Sequence, residues 1–134
     1  MTKLTTIEGI GEVYAAKLKE AGIRTTEALL EACKTPQGRK DLAEKTGISE
    51  KLVLEWANRA DLFRISGVGE EYADLLEASG VDTVPELARR NADNLYAKMQ
   101  EVNAEKKLVR KMPTRNQVAG WIEQAKSLPR VMTY

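Results

Sequence analysis

The chain has 134 residues, 43% of them hydrophobic, 31% charged and only 5% aromatic, enough to bury the core of one compact unit or of two small ones in contact. Lysine and arginine number 21 against 20 acidic residues, so a net charge of +1 supplies no global field that selects nucleic acid, a membrane or an acidic substrate, and any electrostatic preference must be local. A single cysteine, Cys33, and no histidine exclude an intramolecular disulfide and leave no nucleophile–base pair and no metal-ligand set to draw. The opening residues lack the apolar stretch of a signal peptide, and no run reaches the roughly 18–20 apolar residues of a membrane span. A cytoplasmic protein without membrane contact, cofactor or metal is expected.

The first predicted feature is a glycine turn, Glu8-Gly9-Ile10-Gly11, directly before a helical run that ends at Gly22. Glycine there suits the position just past a helix, where a positive φ is cheap only without a Cβ. Thr25 or Thr26 starts a second helix. Thr35-Pro36 starts a third, which runs to Gly47. Ser49 caps a fourth, in which Leu52, Trp56 and Ala60 recur at i, i+4 and i+8 as one apolar face. Cys33 fits a half-buried small hydrophobe.

The same pattern then returns. Residues 7–30 and 65–88 align without gaps at an offset of 58 with ten identities, among them Gly9/Gly67, Gly11/Gly69, Tyr14/Tyr72, Leu18/Leu76 and Gly22/Gly80. Residues 49–60 align with 114–125 at an offset of 65, which pairs Trp56 with Trp121 and gives the second copy a net gain of seven residues between 91 and 112. Thr83 with Pro85, and Thr114 with Gln117 at capping-box spacing, mark helix starts in the second copy. Pro113 and Pro129 are expected to close helices. Four short helices per copy follow, with copies at 1–61 and 62–134.

The pattern Leu-x-x-Ile-x-Gly-aliphatic-Gly-x-x-x-Ala-x-x-Leu, present twice, resembles the helix-hairpin-helix motif of DNA ligases, repair nucleases, recombinases and the RNA polymerase α C-terminal domain. Gly47-Ile48-Ser49 reads as a degenerate second hairpin of copy one, so each copy also resembles the small helical N-terminal domains of recombinases. As a whole the chain is similar to a bacterial family of tandem helix-hairpin-helix proteins catalogued as a domain of unknown function. That resemblance implies an all-α fold of two tandem helix-hairpin-helix (SAM-like) four-helix units, with hairpins at Gly9, Ile10, Gly11 and at Gly67, Val68, Gly69. It also implies that hairpin amides and a helix N-terminus hold a backbone phosphate.

The charges near the hairpins depart from that pattern. From Glu70 to Glu86 there are six acids and no lysine or arginine, which repel phosphate. The basic residues lie elsewhere. Lys45 and Lys51, with Arg39 and Lys40, surround the degenerate hairpin of copy one. Lys106, Lys107, Arg110, Lys111 and Arg115 surround its counterpart in copy two, and their spacing predicts four charges along one side of a helix. Such a run is either a solvated face or a phosphate-tracking patch. Trp56 and Trp121 are expected in the core, with Tyr14 and Tyr72 beside the hairpins and their hydroxyls at the surface. Gly9-Ile-Gly11 lacks the strand and the third glycine of a dinucleotide fingerprint. The expectation is a non-catalytic binding module for nucleic acid, DNA ahead of RNA and without sequence preference. The alternative is a protein–protein scaffold with no nucleic-acid contact.

Overall fold

The computed structural model describes residues 2–134, and among them are eight α-helices. In chain order these are α1 (Glu12–Glu20), α2 (Thr26–Cys33), α3 (Pro36–Thr46), α4 (Glu50–Leu62), α5 (Glu70–Ala78), α6 (Val84–Ala88), α7 (Ala92–Lys106) and α8 (Arg115–Ser127). A short 3-10 turn, Leu4–Thr6, precedes α1. The described residues form no strand; a lone antiparallel bridge joins Lys3 to Thr25. The protein is all-helical.

The chain divides into two compact units. The first runs to Asp61 and also takes in Val131–Tyr134; the second is Leu62–Arg130. The units use the same local devices. Gly9 and Gly67 both sit at φ +94°, and Gly22 and Gly80 at +89° and +95°. Across each glycine turn, Ile10 N–H donates to the Ile7 carbonyl and Val68 N–H to that of Ile65, both at 3.1 Å. After each following helix, Ile23 N–H donates to the Leu18 carbonyl and Val81 N–H to that of Leu76, both at 2.9 Å, closing the helix end around a left-handed glycine.

Side-chain caps fix most helix starts. Thr25, Thr35, Ser49, Asn91 and Thr114 each accept a hydrogen bond from a backbone amide three residues on. Thr114 and Gln117 complete the capping box. Thr83 occupies the N-cap of α6 without a side-chain bond.

Both cores bury the same repeat positions: Leu4 and Leu62, Ile7 and Ile65, Leu18 and Leu76, Leu29 and Leu87, Trp56 and Trp121. In the second unit α8 packs against α6 and α7, and α5 against α7. The buried face of α4 is carried by Val53, Trp56, Ala57 and Ala60; Trp56 and Ala60 lie where the spacing placed them, while Leu52 is only half-buried. Each tryptophan carries a tyrosine from the helix after the glycine turn. Tyr14 stands edge-on to Trp56 at 5.1 Å between centroids, and Tyr72 is tilted on Trp121 at 5.3 Å, pairs that add about 0.5–1.5 kcal/mol beyond area burial. Cys33 is fully buried rather than half-buried, and burial pushes its thiol up to about 12.

Candidate nucleic-acid interface

Each glycine turn rests on its tryptophan. A Cβ added to Gly9 would lie 3.3 Å from Trp56 Nε1, and one added to Gly67 would lie 3.2 Å from Trp121 Nε1. With a positive φ as well, both positions require glycine. The second glycine of each turn differs. Gly11 and Gly69 are the N-cap residues of α1 and α5, at φ −89° and −102°, and nothing lies within 4 Å of where their Cβ atoms would be. Neither a positive φ nor a close neighbour requires glycine at those two positions, where it serves as an N-cap. Neither N-cap has a side chain to accept from the first-turn amides, which lie at the positive end of the helix dipole.

In the second unit this turn opens onto a cleft of about 390 Å³, lined by Gly67, Gly69, Glu70, Glu71, Tyr72, Val109, Arg110 and Lys111. The side chain of Gln124, on α8, braces the turn: it accepts from Ser66 N–H at 2.9 Å and donates to the Ser66 carbonyl at 3.2 Å. The opposite wall, residues 109–111, lies within the stretch where the second copy gains seven residues.

The basic run does not continue a helix, which corrects the expected helical side for residues 106, 107, 110 and 111. α7 stops at Lys106, and Lys107 turns left-handed at φ 52°. Beyond it the chain crosses back toward α5, because Val109 is drawn into the core at 7% exposure. Asn103 sets that course, its Oδ1 accepting from Val109 N–H at 3.0 Å and its Nδ2 donating to the Val109 carbonyl at 3.3 Å. Two side chains of α5 then anchor the loop: Glu71 Oε1 accepts from Arg110 N–H at 3.2 Å, and the Tyr72 hydroxyl donates to the Lys111 carbonyl at 3.0 Å. Pro113, expected to close a helix, instead lies buried one residue before the Thr114 cap.

The acidic turn and the end of the basic run, Arg110 and Lys111, read in the sequence as separate places, therefore share one cleft. Glu71 spends its carboxylate on the loop backbone. Lys106, Lys107, Arg110 and Lys111 are exposed. Arg115 is committed elsewhere: its Nε meets Asp93 Oδ1 at 2.7 Å, and this hydrogen bond with the accompanying charge attraction holds Asp93 below the usual carboxylate range and raises the guanidinium. Sequence reasoning missed Asn103, Glu71 and Tyr72 as the residues that shape the loop. An asparagine four residues before a Lys-Leu-Val stretch gives no periodic signal.

The first unit arranges its cations differently. Lys45, in the last turn of α3, reaches the carbonyl of Ala21 at the end of α1, 3.3 Å away, the end that favours a cation. Lys51 is exposed on α4. Arg39 is buried at 7% exposure, so it is a structural cation and not part of a surface patch. The position matching Glu71 is Val13, 71% exposed. Among the described residues, no group of three or more His, Cys, Asp or Glu side chains is placed to hold a metal ion, and no helix is long and apolar enough to cross a membrane.

Residues 8–128, nearly the whole chain, match the family described as Domain of unknown function (DUF4332), and the chain belongs to that family. No curated protein and no solved structure matched the chain.

Proposed function

We propose that this chain is a non-catalytic tandem helix-hairpin-helix module that holds the phosphate backbone of nucleic acid, DNA ahead of RNA, without reading its sequence. Gly69 carries the proposal. It has an ordinary φ, an empty space where its side chain would be, and a place in the cleft opposite Arg110 and Lys111. A glycine at such a position leaves the backbone open to close approach from outside. The positive end of α5 and the Arg110 and Lys111 side chains suit a phosphodiester, and they must outweigh Glu70 and Glu71, which line the same cleft. Bases have no edge reader in such a site, so affinity is insensitive to sequence.

The test is a fluorescence-anisotropy titration with duplex DNA, single-stranded DNA and RNA, comparing the parent with a Lys107→Glu/Arg110→Glu/Lys111→Glu variant. Saturable binding by the parent, lost in the variant while the helical circular-dichroism signal stays, supports the proposal. Equal binding by both proteins refutes it.

A second reading, a protein-binding scaffold, draws on the first unit. There the matching turn is flanked by Glu8 and Glu12 and topped by the exposed Val13, a surface suited to an apolar and basic protein partner more than to phosphate. Retention of a protein partner by a chain that binds no oligonucleotide favours this alternative.

A further inference from the structure

The segment Val131–Tyr134 belongs to the first unit, although the chain immediately before it, to Arg130, belongs to the second. Its contacts hold it on that unit through one buried side chain and several hydrogen bonds, while Thr133 and Tyr134 stay exposed. Met132 is 1% exposed. The backbone N–H and the hydroxyl of Thr133 both donate to the Lys34 carbonyl, at 2.8 and 3.2 Å. The Thr133 carbonyl accepts from Arg39 Nη2 at 2.9 Å. The Tyr134 hydroxyl donates to Asn58 Oδ1 at 2.8 Å, and the Arg39 guanidinium stands 5.4 Å from its ring centroid.

The receptor side is built for this. Arg39 is buried, and its Nη1 donates to the Cys33 carbonyl at 2.9 Å, so one half of the guanidinium is fixed by the fold while the other serves the segment. Main-chain hydrogen bonds to Thr133 give affinity, and the Met132 and Tyr134 side chains give selectivity, which is how extended peptides are recognised. Pro129 and Arg130, both exposed, separate the segment from the Leu128 cap of α8. Proline has no N–H to lose if the chain changes course there.

We propose that this groove is a segment-exchange site through which two copies of the chain assemble, each groove accepting the Val131–Tyr134 segment of the other copy. Groove and segment are the same in both copies, so every contact survives the exchange, and concentration decides which arrangement prevails. A short tether keeps the segment at an effective concentration on the order of millimolar, which exchange must match in the parent. Disabling self-seating removes that competition.

The experiment therefore uses two full-length variants. Met132→Ala/Tyr134→Ala has a crippled segment and an intact groove; Arg39→Met has the reverse. Each alone is expected to run as a monomer in size-exclusion chromatography with light scattering. Mixed in equal amounts at about millimolar concentration, on the order of the effective concentration that the tether supplies in the parent, they are expected to form a one-to-one heterodimer. A mixture that stays monomeric, with both variants helical by circular dichroism, overturns the proposal. If Arg39→Met does not fold, Asn58→Ala replaces it. A fluorescent peptide of residues 130–134 is also titrated into the crippled-segment variant: saturable binding at least tenfold tighter than to the parent supports an exchangeable groove, and no binding overturns it.

Discussion

Replacing Gly67 and Gly69 by alanine, one at a time, separates the structural glycine of the turn from the one assigned to the ligand. Gly67 has φ +94°, and its new Cβ would lie 3.2 Å from Trp121 Nε1. An L-residue held in that backbone region costs about 1–3 kcal/mol, before any displacement of a tryptophan that fills the core at 3% exposure. For a unit of this size each kcal/mol lowers the melting temperature by about 4–8 °C, so Gly67→Ala is expected to melt about 4–24 °C below the parent. Gly69→Ala meets no atom within 4 Å and keeps an ordinary φ; its stability is expected to stay within about 1 kcal/mol of the parent, because the poorer N-cap is offset by alanine's restriction of the unfolded chain. Oligonucleotide affinity is expected to fall all the same, because the methyl group stands where a phosphate would approach. The assay is a thermal melt and an anisotropy titration on the same two preparations. A Gly67→Ala protein as stable as the parent, or a Gly69→Ala protein that loses stability and keeps affinity, refutes the division of roles.

Three further outcomes follow from the geometry. Lys107→Gly relieves a left-handed lysine at φ 52° and is expected to raise stability by about 0.5–1 kcal/mol in chemical denaturation; a loss of stability would mean that its side chain supports the loop. Gly38 lies inside α3, where alanine is ordinarily favoured by about 1 kcal/mol, yet a Cβ there would collide with the Ala32 carbonyl, so Gly38→Ala is expected to lower the melting temperature. Burial raises the Cys33 thiol from 9.0 to about 12, so the folded state keeps its proton where the unfolded chain releases it. The stability Cys33 contributes is complete below pH 9 and is lost as pH climbs from 9 towards 12. The difference in unfolding free energy between the parent and Cys33→Ala is expected to shrink across that window; a difference independent of pH would show the thiol in contact with water.

Much of the helical plan was legible because it rests on local chemistry. Thr25, Thr35, Ser49 and Thr114 could be placed as helix starts, and Gly22, Gly47 and Gly80 as stops, since capping hydroxyls and left-handed glycines act within one turn. The two copies were visible because their core positions recur at a fixed offset. The loop after Lys106 was not legible. Lysine and leucine are good helix formers, so 106–111 reads as a continued helix, but burial of Val109, the Asn103 amide and the anchors from Glu71 and Tyr72 override propensity through contacts up to 39 residues apart. The same long-range contacts put the acidic turn and the basic loop on one cleft, which charge counting along the chain had kept apart. The pairing of Arg115 with Asp93 spans 22 residues and was equally out of reach. Buried Arg39 was hidden because its partner carbonyl at Thr133 lies 94 residues away.

The central claim, that the second unit's cleft holds a nucleic-acid backbone, is tested most directly by the salt dependence of parent binding to a duplex oligonucleotide. If several phosphates are engaged, affinity drops by about tenfold or more between about 50 and 150 mM salt, and it drops alike for duplexes of unrelated sequence. Absence of binding to duplex, single-stranded DNA and RNA at low salt would contradict the claim and leave the scaffold reading in its place.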